Sequence, residues 1–173
     1  MMKKEREKNK LNNNGYTLIE LLVVIGIITV LVGGMSIAVS LIFSKDAAKC
    51  AASINDQLSN ARMLSMSREG VYTMKVNMDP AHEDNYVEIS TASGGEYTKI
   101  DLGDRVIISF GPDGGTLGTG TVEIVFDKAS GAVRSVDGSE TIADIYLFHI
   151  ESVRGTRTSE VELVSGTGRH YIR

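Results

Sequence analysis

Glu20 is the residue whose chemistry fits its surroundings in the sequence least. It is the only ionisable side chain in the apolar run over residues 18–43, LIELLVVIGIITVLVGGMSIAVSLIF. On insertion scales, a carboxylate at the centre of a membrane span costs about 2.5 kcal/mol or more. Because Glu20 lies near the start of the run, it either reaches water and headgroups at the interface or pairs with a cation. A cation would offset the desolvation of the carboxylate.

The other reactive residues give little support to catalysis. The sequence has no G-x-S-x-G or H-E-x-x-H motif, and His82, His149 and His170 lie in separate segments. The Gly-rich stretch 111–121 lacks the Lys-Ser/Thr ending of a phosphate-binding loop. A single cysteine, Cys50, excludes an intramolecular disulfide and a multi-cysteine zinc site. We therefore predict no enzyme, no cofactor and no metal site. Four aspartates that could in principle bind calcium show no recognised calcium spacing: Asp101, Asp104, Asp113 and Asp127.

Basic residues are concentrated at two places. Residues 1–15 carry five Lys/Arg and two Glu, so the rest of the chain has 13 basic and 20 acidic residues and a formal charge of -7. This balance argues against wholesale nucleic-acid binding. The second concentration is Arg154, Arg157, Arg169 and Arg173. Glutamates lie between these arginines, which favours solvated strand charges, with a small DNA-binding patch as the alternative.

The apolar run predicts a membrane helix. About 20 apolar residues span a bilayer, and residues 18–43 would measure roughly 39 Å as a helix. Five basic residues precede the run, whereas only Lys45 and Lys49 closely follow it, so the positive-inside rule places the N-terminus in the cytoplasm. The run is too long for a secretory signal peptide. We expect a single-pass protein of the cytoplasmic membrane, with its C-terminal part outside.

Beyond the run, the pattern indicates a helix that continues and then a sheet. Over residues 44–70 apolar residues recur at three- and four-residue steps, which predicts an amphipathic helix that ends near Gly70. Short alternating segments separated by Gly-rich turns follow. They cover residues 71–76, 85–90, 96–100, 105–110, 121–126, 142–150, 160–164 and 169–173. The predicted fold is α+β: a long N-terminal helix, half membrane and half amphipathic, packed on an antiparallel β-sheet.

The sequence GYTLIELLV at residues 15–23 resembles the signature of type IV pilins and pseudopilins, with Tyr16 where Phe is commonest. The resemblance implies that a prepilin peptidase cleaves between Gly15 and Tyr16 and that the new amine of Tyr16 is N-methylated. It also implies that Glu20, the fifth mature residue, pairs with the N-terminal amine of a neighbouring subunit during assembly. The implied organisation is a leader peptide at 1–15, an assembly helix at 16–43, an amphipathic continuation at 44–70 and a β-rich outer domain at 71–173.

The rest of the chain resembles the H-type minor pseudopilins and related minor pilins more loosely. The features in common are an Ala-Arg pair near the helix end, here Ala61-Arg62, and a short Gly-Arg strand near the C-terminal end, here Gly168-Arg169. This resemblance implies a minor subunit.

Three functions remain open. The leading hypothesis is a structural subunit of a type IV pilus, a competence pilus or a type II secretion pseudopilus. Its partners would be the prepilin peptidase, other pilins or pseudopilins and the membrane assembly platform. The second is a module at the filament tip that captures DNA or a secreted protein, with DNA contacts from Arg154, Arg157, Arg169 and Arg173. The third is a membrane-anchored extracellular enzyme.

Overall fold

The computed structural model describes residues 17–92, 95–153 and 157–173, with side chains at all of these positions except 33–44, 96 and 97. This part of the chain contains one helix, α1 (Leu18–Ser67), followed by short strands. The strands are β1 (Tyr72–Met78), β2 (Tyr86–Thr91), β3 (Glu96–Asp101), β4 (Val106–Pro112), β5 (Gly120–Phe126), β6 (Val133–Val136), β7 (Ile145–Ser152), β8 (Thr158–Val164) and β9 (Arg169–Ile172). The chain divides into two compact units, residues 1–38 and 39–173.

In the first unit, the described side chains of α1 are largely apolar on every side of the helix. The large hydrophobic residues at 18–32 are between 45% and 83% exposed. The hydroxyl group of Thr29 donates to the carbonyls of Ile25 and Gly26, at 3.0 and 2.8 Å, so this polar group is satisfied within the helix. In the part of the chain described with side chains, no helix is long and apolar enough to cross a membrane. The membrane helix expected over residues 16–43 stays a prediction.

In the second unit, one set of apolar residues of α1 is buried. The apolar positions that the periodicity singles out are all at most 2% exposed: Ala47, Ala51, Ile54, Leu58, Ala61 and Leu64. They belong to the same cluster of buried residues as the inward side chains of the strands. The helix ends at Ser67, and Gly70 follows with φ of 106°, a conformation that glycine adopts without a Cβ penalty.

The strands form two antiparallel sheets, not the single sheet that we expected. One sheet has the order β3-β2-β1-β5-β6 and the other has the order β4-β7-β8-β9. Buried and half-buried residues alternate along β1 and β7, as they do in a strand with one face on the core. The α+β class, the N-terminal helix and the antiparallel pairing are confirmed. The strand β6 was not predicted, and it extends the first sheet beyond β5.

Asn85 joins the two sheets at one end. It is 2% exposed and lies between β1 and β2, just before β2 begins. Its amide oxygen accepts from the N–H of Asp79 at 2.9 Å. Its amide nitrogen donates to the carbonyls of Gly103 and Val106, at 3.2 and 3.1 Å. Because Asp79 directly follows β1 and Val106 begins β4, this one side chain links the end of a strand in one sheet to the start of a strand in the other.

Candidate functional site

Glu20 lies in the first turn of α1, and its side chain is exposed. The N–H of Glu20 donates to the carbonyl of Thr17 at 3.1 Å and is also within 3.3 Å of the Thr17 hydroxyl oxygen. The N–H of Leu21 donates to the same carbonyl at 3.1 Å. A carboxylate in the first turn interacts favourably with the positive end of the helix dipole. The helix therefore presents a charged group at the start of an otherwise apolar segment.

Thr17 is a positioning residue that the sequence reasoning missed. Its hydroxyl oxygen accepts from the N–H three residues later, as an N-cap does. The signal was present in the sequence, because Thr17 and Glu20 have the T-x-x-E spacing of a capping box before an apolar run. Gly15, Tyr16 and Arg154, which were also predicted to be functional, lie outside the described residues.

Among the outer-domain arginines that the structure describes, Arg173 is paired with a carboxylate. The guanidinium group of Arg173 pairs with the carboxylate of Glu162 on β8, whose side chain is only 12% exposed. In the same sheet, Nδ1 of His149 lies 3.0 Å from the carboxylate of Glu160. Two glutamates of β8 therefore lower the positive potential beside β9. This arrangement weakens the case for DNA capture at these arginines.

Arg169 is more available than Arg173. It is exposed, and its neighbour across the ladder on β8 is Val164, which offers no carboxylate. Because side chains alternate along a strand, Arg169 and Arg173 share one face of β9, about 13 Å apart at about 3.3 Å per residue. Arg157, just before β8, is also exposed.

The two residue pairs of the looser resemblance come together in space. Nε of Arg62 donates to the carbonyl of Gly131 at 3.0 Å. A Cβ added to Gly168 would lie 1.9 Å from that same carbonyl oxygen and 3.1 Å from Nε of Arg62. Nearby, the N–H of Val133 on β6 donates to the carbonyl of Ser165 at 2.8 Å. Arg62 and Gly168 thus belong to a tight junction between α1 and the turns that flank β6 and β9.

Local structure accounts for three further candidates for chemistry, Cys50, Asp101 and Asp127. Burial raises the pKa of the Cys50 thiol to about 12, which disfavours the reactive thiolate. Hydrogen bonds from the side chain and backbone of Ser130 lower the pKa of Asp127, which closes a turn. The carboxylate of Asp101 accepts a hydrogen bond from the N–H of Gly103 at 2.7 Å. Among the described residues, no group of three or more His, Cys, Asp or Glu is placed to hold a metal ion.

Comparison with known proteins identifies the N-terminal segment. Residues 10–36 match the prokaryotic N-terminal methylation motif, which is the type IV pilin signal. No curated protein and no solved structure matches the chain significantly. The motif supports the pilin and pseudopilin family, whose members are structural proteins. It implies processing by prepilin peptidase and assembly with other pilins.

Proposed function

We propose that this chain is a minor pilin or pseudopilin, a structural subunit of a type IV pilus, a competence pilus or a type II secretion pseudopilus. The observation that carries the proposal is the methylation motif at residues 10–36, which includes a carboxylate at the start of an exposed apolar helix. Prepilin peptidase would cut between Gly15 and Tyr16 on the cytoplasmic side. The new amine of Tyr16 would then be methylated.

Glu20 would drive assembly through its charge. A new amine at Tyr16 has an ordinary pKa of about 7.7–8.0, so it is largely cationic at neutral pH. In an apolar helical bundle, an ion pair between this amine and Glu20 of a neighbouring subunit would offset the desolvation of both groups. A subunit docked out of register would leave both charges unpaired. The cost of the misplaced charges would therefore select the correct register.

The same proposal covers the location and fold. The subunit would begin in the cytoplasmic membrane as a single-pass protein, with its N-terminus in the cytoplasm and its outer domain outside. It would then move into a filament at the cell surface. The outer helix would pack on the β-rich domain as in pilins, and the buried stripe of α1 from Ala47 to Leu64 supports this arrangement.

The intact mass of the membrane-extracted protein tests the processing step. In cells with prepilin peptidase we expect a chain that has lost residues 1–15, with or without one added methyl group. In cells without the peptidase we expect the uncut chain. Gly15→Val would place a bulky side chain at the cut and block it, while Asn14→Val one position away should be cut normally. An uncut chain in peptidase-positive cells would sink the proposal.

Glu20→Gln tests the assembly step separately from cleavage. The substitution keeps the shape of the side chain and removes its charge, so we expect normal cleavage and a loss of the subunit from sheared filaments. Thr29→Val is the matched control, because the Thr29 hydroxyl already bonds within its own helix. Normal incorporation of the Glu20→Gln protein would refute the ion-pair role of Glu20.

A tip-binding module is the second candidate function. The ion pair between Arg173 and Glu162 disfavours the DNA version of this hypothesis.

A further inference from the structure

Among the strands that the structure describes, β9 pairs only with β8, so its other edge has no neighbouring strand. It is last in the order β4-β7-β8-β9. The N–H of Arg173 donates to the carbonyl of Glu160 at 2.8 Å, which fixes the alternation of the antiparallel ladder. By this alternation, the N–H and C=O groups of His170 and Ile172 point away from β8. These are the groups with which an added strand would pair.

A groove lies beside this edge, between β9 and α1. It has a volume of about 400 Å³ and is lined by Ser59, Arg62, Met63, Met66, Ser67 and His170. Met63 and Met66 are 59% and 44% exposed, and Ile172 on β9 is 49% exposed. Methionines suit a surface that must accept varied side chains, because they are flexible and polarisable.

Other sheet edges in the described part of the chain are occupied or charged. At the edge of β4, Phe110 exchanges two backbone hydrogen bonds with Gly118, at 2.8 and 2.9 Å. At the edge of β6, Val133 bonds to Ser165. The edge strand β3 carries Lys99, and an edge lysine discourages pairing with another strand. The edge of β9 differs because apolar side chains are exposed beside it.

The charges on β9 indicate the kind of strand that fits. Arg169, Tyr171 and Arg173 lie on one face, and His170 and Ile172 lie on the face shared with the core side of β8. Two copies of β9 paired antiparallel about Tyr171 would place Arg169 of one copy opposite Arg173 of the other. Like charges directly opposite each other destabilise a sheet. Arg169 has an apolar cross-strand neighbour, so a carboxylate on an added strand would complement it.

We propose that the open edge of β9 binds an extended segment of another protein as an added strand, with acidic side chains beside Arg169 and apolar side chains in the groove between β9 and α1. The period of two along a strand requires acidic and apolar residues to alternate in that segment. This surface lies within residues 59–173 and requires neither cleavage nor filament assembly. If peptides do not bind at β9, the proposed structural role still stands. If cleavage or assembly fails, the proposed binding surface still stands.

Peptide binding to the full chain in detergent micelles tests the proposal. The probes are fluorescent ten-residue peptides that alternate Val with Glu or Val with Lys, read by anisotropy. We expect saturable binding of the Glu peptide and much weaker binding of the Lys peptide. Arg169→Glu should lower the affinity for the Glu peptide about tenfold, because a cross-strand attraction becomes a repulsion. It should raise the affinity for the Lys peptide, because a repulsion becomes an attraction. No saturable binding of the Glu peptide, or no change of preference in Arg169→Glu, would overturn the proposal.

Two further probes separate strand addition from simple charge attraction. Ile172→Pro removes the outward N–H and should abolish binding, whereas Ile172→Ala keeps that N–H and should retain most of it. The second probe is a Glu peptide with N-methylated backbone amides, which lacks the donors of an added strand and should not bind the unchanged protein. This result does not depend on whether Ile172→Pro disturbs the fold. Equal binding of the methylated peptide would overturn the added-strand geometry. Tighter binding of a single-stranded DNA oligonucleotide, with displacement of the Glu peptide, would overturn the choice of partner.

Discussion

Asn85→Ala should destabilise the outer domain more than any single hydrogen bond would suggest. The substitution leaves three backbone groups without their side-chain partner: the N–H of Asp79 and the carbonyls of Gly103 and Val106. Of the three hydrogen bonds, the one to Val106 is buried and the other two are partly buried. An unsatisfied buried group costs about 1–3 kcal/mol, and water can partly satisfy the other two. We expect a total loss of about 3 kcal/mol.

Thermal unfolding of the full chain, followed by near-UV circular dichroism in one detergent, measures the effect. A loss of about 3 kcal/mol corresponds to a fall in Tm of about 10 °C for a domain of this size. Asn77→Ala is the matched control: its side chain makes two hydrogen bonds near the same turn, with Asp84 and Thr121, and both are exposed. If Asn85→Ala lowers Tm no more than Asn77→Ala does, Asn85 does not join the sheets as we argue.

Three further predictions concern the second unit. Gly168→Ala should lower Tm by several degrees, because its Cβ would lie 1.9 Å from the carbonyl oxygen of Gly131, whereas Gly166→Ala meets nothing within 4 Å and should be neutral. Cys50, whose pKa burial raises to about 12, should resist alkylation at pH 8 until the protein unfolds; unhindered labelling of the folded protein would contradict its burial. Burial lowers the pKa of His170 below its ordinary 6.5. As the pH falls, the unfolded chain therefore binds a proton at this residue before the folded chain does. The free energy of unfolding should fall as the pH drops below about 6.5. His170→Gln should flatten this fall, and an unchanged pH profile would rule out His170 as its source.

The elements of the fold were largely readable from local pattern. The apolar run at residues 18–43 and the periodicity over residues 44–70 predicted one continuous helix, and α1 covers Leu18–Ser67. The predicted segments coincide with eight of the strands, within a few residues at their ends. The strand β6 was missed because its sequence, VRSV, does not alternate: Arg134 and Ser135 are both polar, and the two valines lie three residues apart. This spacing does not match the period of two that identifies a strand.

The division into two sheets was not predictable in the same way. It depends on pairings between distant segments, such as β1 with β5, and no local pattern specifies them. The junction at Arg62 and Gly168 also depends on contacts between segments that are distant in the sequence. The sequence singled out both residues by resemblance, but only their contact with the carbonyl of Gly131 explains why a glycine is required there. Glu20, in contrast, was recognisable because a charge in an apolar run needs no tertiary contact to be unusual.

The two ends of the chain pose different physical problems. In the second unit, buried apolar residues of the strands and of α1 form one cluster, and backbone groups such as those beside Asn85 find partners within the domain. The described residues of α1 up to Val32 leave their large apolar side chains exposed. Exposed apolar area is costly in water, at about 25 cal/mol per Å². A membrane or a bundle of like helices would remove that cost, and under the proposed function the bundle would also bring the Tyr16 amine of a neighbouring subunit to Glu20. In the function that we propose, this pairing of Glu20 is the physical reason for the subunit to move from the membrane into a filament.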